Sequence, residues 1–457
     1  MVCIIWEKCN LNHGVMLLNF KVNGLKSEEN NIKLWNKNFF LLWQGQLVSM
    51  LGDVLYLMAL DLWILDMTGS AALMGIVSAL SIAPAIILGP FAGVFVDKWN
   101  RKNILVITDF IRGVLVTFIG IAGIMGFIKV WMIIVVAIIS SMCSAFFNPA
   151  VSAIKPQIVH RSKLVKANSI TSFAESSSNM LGNAIAGFLY VLVGAPYMFL
   201  FNGISYIFSA ISEIFIKVPE MDKTEGKITF KEDFKEGLHF VGQFKTFKNM
   251  FIVSCIVNFF VNAAFVLLPV LFKQASYLGI ERYGIAMAIS SLGMVLGSLT
   301  LSIVNVKNEK KYFISAGALV LMGIMMVIMP ITRNFYIFAI AFCAATYLNV
   351  VSNTVMAAVR MTIIPKQMMG KVFALMGTLS MALIPLAKIV GGFLGEFLPV
   401  RTAMIIFFGI TLIGCLILPR IKGLKSLMKY DGEESIERLI AITNDEYEGK
   451  VKTNESM

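Results

Sequence analysis

The sequence predicts an all-α integral membrane protein, with twelve transmembrane helices in two pseudo-symmetric six-helix bundles. Three observations carry this prediction: an extreme apolar share, apolar runs of bilayer-crossing length at near-regular spacing, and a pattern that repeats between the two halves. Of 457 residues, 58% are hydrophobic and only 14% charged, and mean hydropathy is +0.79. Soluble domains carry about 25% charged residues. Backbone polar groups in hydrocarbon must pair within the chain, which leaves helices as the default spanning element for runs this apolar.

A helix needs about 20 apolar residues to cross the hydrocarbon core. Such windows fall at 39–65, 71–96, 103–127, 130–154, 168–192 and 197–217, then at 249–273, 283–305, 311–331, 335–359, 371–397 and 401–420. They divide the chain into a tail (1–36), a first bundle (37–217), a linker (218–248), a second bundle (249–420) and a second tail (421–457). Residues 1–36 show no signal peptide, because their apolar stretches are short and interrupted; Met16 or a later residue is a candidate start. In the linker, Phe230, Phe234, Leu238, Val241 and Phe244 recur at helical spacing with Lys231, Glu232, Lys235 and Glu236 opposite. That spacing predicts an amphipathic helix along the inner leaflet, the alternative being a solvated linker.

Basic residues set the orientation. Tails and loops on the side of the termini hold 32 Lys and Arg, whereas the opposite loops hold five: Lys129, Lys273, Arg282, Arg333 and Arg401. By the positive-inside rule both termini are expected in the cytoplasm of a multi-pass cell-membrane protein. The net charge of +12 is thereby used up in loops, and no nucleic acid is expected as a partner. The six Cys lack paired or metal-type spacing, and His13, His160 and His239 all fall outside the spans. No metal or cofactor is expected. No HxxxH or GxSxG pattern and no Walker loop is present, which argues against an enzyme or an ATP-driven pump.

The halves echo each other. Gly187–Leu189 in the fifth span reads GFL, as does Gly392–Leu394 in the eleventh, and on that register Lys155 falls on Arg360. The second and eighth spans align from Gly75 and Gly284, bringing Asp97 near Asn305.

Ionisable groups inside spans each cost about 2.5–3.5 kcal/mol on insertion scales and so require a reason. Asp53 lies 14 residues past Phe39, about 21 Å along the helix. Gln46, Ser49, Asp53 and Tyr56 share one face, a polar stripe expected to look into a cavity. A carboxyl partly withdrawn from water there could carry a proton, or it could brace a neighbouring helix. Glu175 aligns with Thr171, Ser178, Gly182 and Ala186, beside Asn179. It is either a second proton carrier or a counter-charge for a cationic substrate. Asp61 and Asp66 are expected at the interface, and Glu213 is expected to snorkel. Asp109 and Arg112, three apart, are read as a structural ion pair. Lys388 either pairs with an acid across the bundles or contacts an anionic substrate. Asn258 with Asn262, and Asn349 with Asn353, are read as helix-to-helix hydrogen bonds or as cavity lining. The 35 Phe, 28 Met and 6 Trp suit a cavity for bulky amphiphiles and equally suit lipid-facing surfaces.

Gly93–Lys102, GVFVDKWNRK, is a charged turn between the second and third spans. With Gly93, Asp97, Lys98, Arg101 and Lys102 in place, it resembles the loop motif of the major facilitator superfamily, G-x-x-x-D-R/K-x-G-R/K-R/K. Asn100 stands where the motif has Gly, and is expected to keep a left-handed turn. The segments LGDVLYLMALDLWILDMTGSAALMG (51–75), TDFIRG (108–113) and FFNPAVSAIKPQIV with LVKANS (146–169) are similar to the twelve-helix drug:proton antiporter branch with macrolide-efflux and siderophore-export proteins. The resemblance implies the major facilitator fold, a small amphiphilic substrate, protons as the coupling ion, and a monomer in the bilayer. It further implies that Asp97 docks near Gly370 and Lys371 as a cytoplasmic gate, beyond mere topological anchoring by the bases.

Overall fold

The computed structural model describes residues 34–218, 230–304, 306–365, 367–430 and 436–448. Among these it is helical throughout, and ten helices are long and apolar enough to cross a membrane. The two expected spans outside that set are the fifth (Leu164–Val193) and the sixth (Ala195–Ile214). Both are long enough, 30 and 20 residues, or about 45 and 30 Å. They are too polar for the same threshold because their faces meet other helices: the sixth buries Asn202, Ser205, Ser209, Ser212 and Glu213.

Prolines break two spans. The second is Ala71–Leu80 followed by Ala83–Lys98, with Pro84 just after the break. The seventh is Lys245–Phe265 followed by Leu268–Gln274, with Pro269 at the same relative place. Each lacks the N–H that would bridge the gap. The turn from first to second span is fixed by Gly69, left-handed at φ 68°, whose N–H bonds the Leu65 carbonyl, and by Ser70, which caps the Leu73 N–H at 3.1 Å. At the 93–102 turn the expectation for Asn100 fails. Its φ is −68° and its side chain accepts from the Asn103 N–H, so it is a helix N-cap for the third span, Arg101–Ile124.

In the first bundle the first span (Lys37–Thr68) packs on the fifth and sixth, the third on the fourth (Val130–Ile158) and sixth, and the second on the fourth. The second bundle repeats this: the ninth (Asn308–Ile331) packs on the tenth (Phe335–Ile363) and twelfth (Val400–Ile417), and the eighth (Ile280–Ile303) on the tenth.

The bundles meet through the second span against the eleventh (Met369–Phe397) and the fifth against the eighth. Both seams lie in the half of the membrane away from the termini, here the far half. A Cβ on Gly75 would press on the Lys388 carbonyl and Gly392, and one on Gly187 would press on Gly284. In the half nearer the termini, Gly89 and Gly93 of the second span and Gly370 and Gly377 of the eleventh have nothing within 4 Å on their Cβ side. The two helices are thus packed closely at the far face and more loosely toward the termini.

The linker helix forms over Phe230–Gln243, and part of its apolar face packs against the protein. Phe240, Val241 and Phe244 are buried in a cluster with Val372, Leu375 and Leu427, and Glu236 pairs with Lys371 at 2.6 Å. Leu238, expected on the buried face, is exposed. The Phe230, Lys231 and Glu232 side chains lie outside the described residues, as do most of the first tail and Asn305. The described residues of the second tail are largely helical. Leu424–Lys429 and Ile436–Glu448 are helices, and Asn444 both accepts from the Lys245 N–H and donates to the Gln243 carbonyl.

Candidate functional site

The interior of the first bundle holds a charged network. Asp53 accepts from the Tyr206 hydroxyl and from Asn202 Nδ2 at 3.4 Å, both on the sixth span. Arg112 on the third span pairs with Asp109 one turn earlier. Its guanidinium also reaches Ser144 Oγ at 3.3 Å and Tyr206 Oη at 3.4 Å. It lies over the Phe147 and Tyr206 rings, 4.5 and 4.4 Å from their centroids. Four helices therefore converge on one cation, and Tyr206 is the bridge: it takes a proton contact from Arg112 on one side and gives one to Asp53 on the other.

A second cluster sits farther along the first span. Asp61 is bonded by Ser78 of the second span, and the Lys388 ammonium of the eleventh and the Tyr283 ring of the eighth lie within its electrostatic reach. Tyr56 stands between the clusters, electrostatically close to both Asp53 and Asp61, and its hydroxyl is buried with no hydrogen-bond partner. Lys388 lies on the opposite bundle from Asp61, near enough to act on its charge without an ion pair between them.

At the far face polar contacts cross the seam. Lys273 pairs with Asp66 at 2.5 Å and bonds the Leu65 carbonyl at 3.1 Å. Tyr190 also donates to Asp66. Glu396 accepts from the Ser70 hydroxyl at 3.0 Å and the Ala72 N–H at 3.2 Å, capping the second span from the other bundle.

Several expectations need correction. Gln46, Ser49 and Tyr56 do not line a cavity: they are 5–6% exposed inside the first bundle, and Ser49 spends its hydroxyl on its own helix carbonyls. Sequence spacing placed them on one face, and the sixth span covers that face. Glu213 does not snorkel; it is fully buried, because the third and first spans pack over it. Asp61 is half-buried and accepts from Ser78 of the second span, whereas Asp66 is exposed near the far end of the first span. The Asn pairs bond along their own helices: Asn262 to the Asn258 carbonyl at 2.8 Å, and Asn353 to Asn349 Oδ1 at 3.0 Å. Asn349 alone reaches another helix, at the Met322 sulfur. Asn179 is exposed and bonds the Glu175 carbonyl. Glu175 is exposed in the terminal half of the fifth span, with Lys155 of the fourth in electrostatic reach. Of the gate residues, Lys98 is exposed beside the turn and Arg101 reaches the Ala153 carbonyl, while the Asp97 side chain lies outside the described residues.

Tyr206, Asn202 and Ser78, the partners of the acids, were not anticipated. A signal existed for the sixth span, where Asn202, Ser205, Ser209 and Ser212 repeat at intervals of three and four, a polar stripe on one helical face. An apolar groove of about 700 Å³ between the eighth and tenth spans, walled by Ile285, Ile340 and Tyr347, holds none of the charged residues of the two clusters.

Comparison with known proteins agrees with this architecture. The chain is 25% identical to macrolide efflux protein A of Streptococcus pyogenes over 79% of its own length and 90% of that protein. It is 27% identical to the staphyloferrin A transporter of Staphylococcus aureus over 59% of this chain and 66% of that one. The solved structure of the nucleoside transporter NupG superposes with a TM-score of 0.63 at 13% identity, covering 83% of this chain and 98% of the other, a likeness of fold. Residues 42–387 match the family model described as Major Facilitator Superfamily, so the chain, a multi-pass membrane transporter and not an enzyme, belongs to that superfamily.

Proposed function

We propose that the protein exports amphiphilic compounds such as macrolides across the cell membrane by alternating access, exchanging them for protons, with both termini in the cytoplasm. The observation that carries this reading is the Asp53–Tyr206–Arg112–Asp109 network, an ionisable chain inside the first bundle, which packs closely on the second at the far face and more loosely toward the termini. Intramembrane carboxyls of this kind mark proton relays in transporters. Looser packing of the second and eleventh spans on the terminal side suits loading from the cytoplasm, and the far-face contacts suit a closed exit. Export as the direction, and macrolides as the cargo, rest on likeness to the streptococcal efflux protein.

The test is accumulation of a radiolabelled macrolide in cells stripped of their own pumps. Expression of this chain should lower accumulation, and an uncoupler should erase the difference. Unchanged accumulation, with the protein present in the membrane, would remove the macrolide reading. The likeness to the staphyloferrin A transporter favours a second reading, export of a siderophore or another metabolite, which secretion measurements in the same cells would detect.

A further inference from the structure

Two acids of this region have more to do than the coupling reading asks of them: Asp109, which it uses only as the partner of Arg112, and Glu213, which it does not use. Asp109 and Glu213 are both 0% exposed. Asp109 Oδ1 takes the Arg112 guanidinium, but its Oδ2 has no hydrogen-bond partner. Glu213 Oε1 has only the Ser209 hydroxyl at 3.5 Å, and its Oε2 has no partner at all. The third and sixth spans run in close contact, Gly113 against Ile207 and Gly203 against Thr117, which makes the two carboxyls electrostatic neighbours beside Ser209. Groups facing them are Asp53 from the first span, Arg112 from the third, Cys143 from the fourth and Tyr206 from the sixth.

The charge count does not close. Asp53, Asp109 and Glu213 are three carboxyls around one guanidinium, and Arg112 balances one of them. An ionised carboxylate is an acceptor only, so two orphan acceptor oxygens in the bundle interior are each left without a donor. One added proton acts on both facts together: it cancels a negative charge, and it turns one orphan acceptor into a donor. A carboxyl-to-carboxylate bond is among the stronger hydrogen bonds available in such a site.

We infer that Asp109 and Glu213 form a second proton-binding site, a carboxyl pair between the third and sixth spans that holds one proton in common. Arg112 offsets the remaining charge of the pair. The site is separate from Asp53 but joined to it through Arg112 and Tyr206. The inference concerns a bound proton and does not depend on which compound is carried.

The test is infrared spectroscopy of the purified full-length protein in lipid nanodiscs at neutral pH, in light and heavy water. The parent should show a carbonyl-stretch band of a protonated carboxyl. Glu213→Gln and Asp109→Asn should each lose it, whereas Asp66→Asn, at the interface, should keep it. Ser209→Ala should shift the band without removing it, and it serves as the readout if either acid variant fails to fold. Loss in Glu213→Gln alone would mean that Glu213 is protonated by itself and would overturn the pair. Absence of the band in the parent, or a melting temperature raised by sodium but not by choline, would overturn the proton as ligand. Because no transport is measured, failure here is distinct from failure of the efflux reading.

Discussion

The far-face contacts should set the balance between the two access states, and their size can be worked out. The Lys273 and Asp66 side chains are 35% and 37% exposed, so solvent screens the pair to about 0.5 kcal/mol. The bond from Lys273 to the Leu65 carbonyl adds about 1 kcal/mol. Lys273→Met removes both, about 1.5 kcal/mol, which is roughly tenfold in the ratio of far-face-closed to far-face-open molecules. Glu396→Ala removes the cap on Ser70 and Ala72, about 1 kcal/mol. Asp66 and Glu396 share no partner, so the two effects should add to about 2.5 kcal/mol, or about 70-fold. Spin labels at Lys129 and Arg333, in far-face loops of opposite bundles, report the change as a pulsed dipolar distance distribution in nanodiscs. The short-distance population should fall in each single variant and fall further in the double variant. Overlapping distributions for parent and double variant would show that the polar contacts do not hold the seam, leaving glycine packing as its cause.

Three further outcomes follow from the same geometry. Asp53→Asn should abolish uncoupler-sensitive transport with membrane insertion intact, and Tyr206→Phe should lower it by about tenfold, since it removes the hydroxyl between Asp53 and Arg112 (the readout is proteoliposome uptake against an imposed pH gradient). Gly75→Val or Gly392→Val should place a side chain against backbone across the seam and lower transport more than tenfold, whereas Gly89→Val, which faces open space, should cost less in the same assay. Lys388→Gln should leave Asp61 with Ser78 alone and lower transport, and Asp61→Asn in the same chain should restore part of it; a double variant worse than either single one would argue against their pairing.

How much of this was legible in the sequence depends on the range of the interaction. Span positions follow from runs of apolar residues, which is local information, and ten of the expected twelve stand as apolar helices. The two that do not, Leu164–Val193 and Ala195–Ile214, carry polar faces that only packing explains. The internal repeat told more than its faintness suggests. Gly187 was matched with Gly392 and Gly75 with Gly284 by alignment, and the structure brings Gly187 onto Gly284 and Gly392 onto Gly75, the contacts that a two-fold between the halves produces. Intramembrane acids were visible as costs, but their partners were not. Gln46 and Ser49 share the Asp53 face by periodicity, yet periodicity does not say whether a neighbour covers that face. Asn100 was misjudged because Asn suits both a left-handed turn and an N-cap, and only the backbone decides between them. Glu213 was read as snorkelling because it lies near a helix end, where the depth of the surrounding helices cannot be counted from one strand of sequence.

The distribution of charge divides the labour between bundles. Five acids within the spans, Asp53, Asp61, Asp109, Glu175 and Glu213, belong to the first bundle, whereas those of the second, Glu281, Glu309 and Glu396, lie in the first or last turn of their helices. The second contributes cations, Lys388 in the eleventh span and Arg360 at the terminal end of the tenth, with Glu396 only at the seam. Lys388 approaches Asp61 where the second and eleventh spans touch, and its own carbonyl is part of the glycine contact with Gly75. A movement that parts those helices at the far face must therefore also draw the cation away from the acid. An acid stranded in a membrane interior has to be neutralised by another cation or by a proton. On the proposed alternating-access reading, opening the exit and changing the charge state of the first bundle would be coupled through Lys388. Tyr56, buried with its hydroxyl unpaired and electrostatically near both Asp53 and Asp61, lies between the acid that Lys388 faces and the Asp53 network.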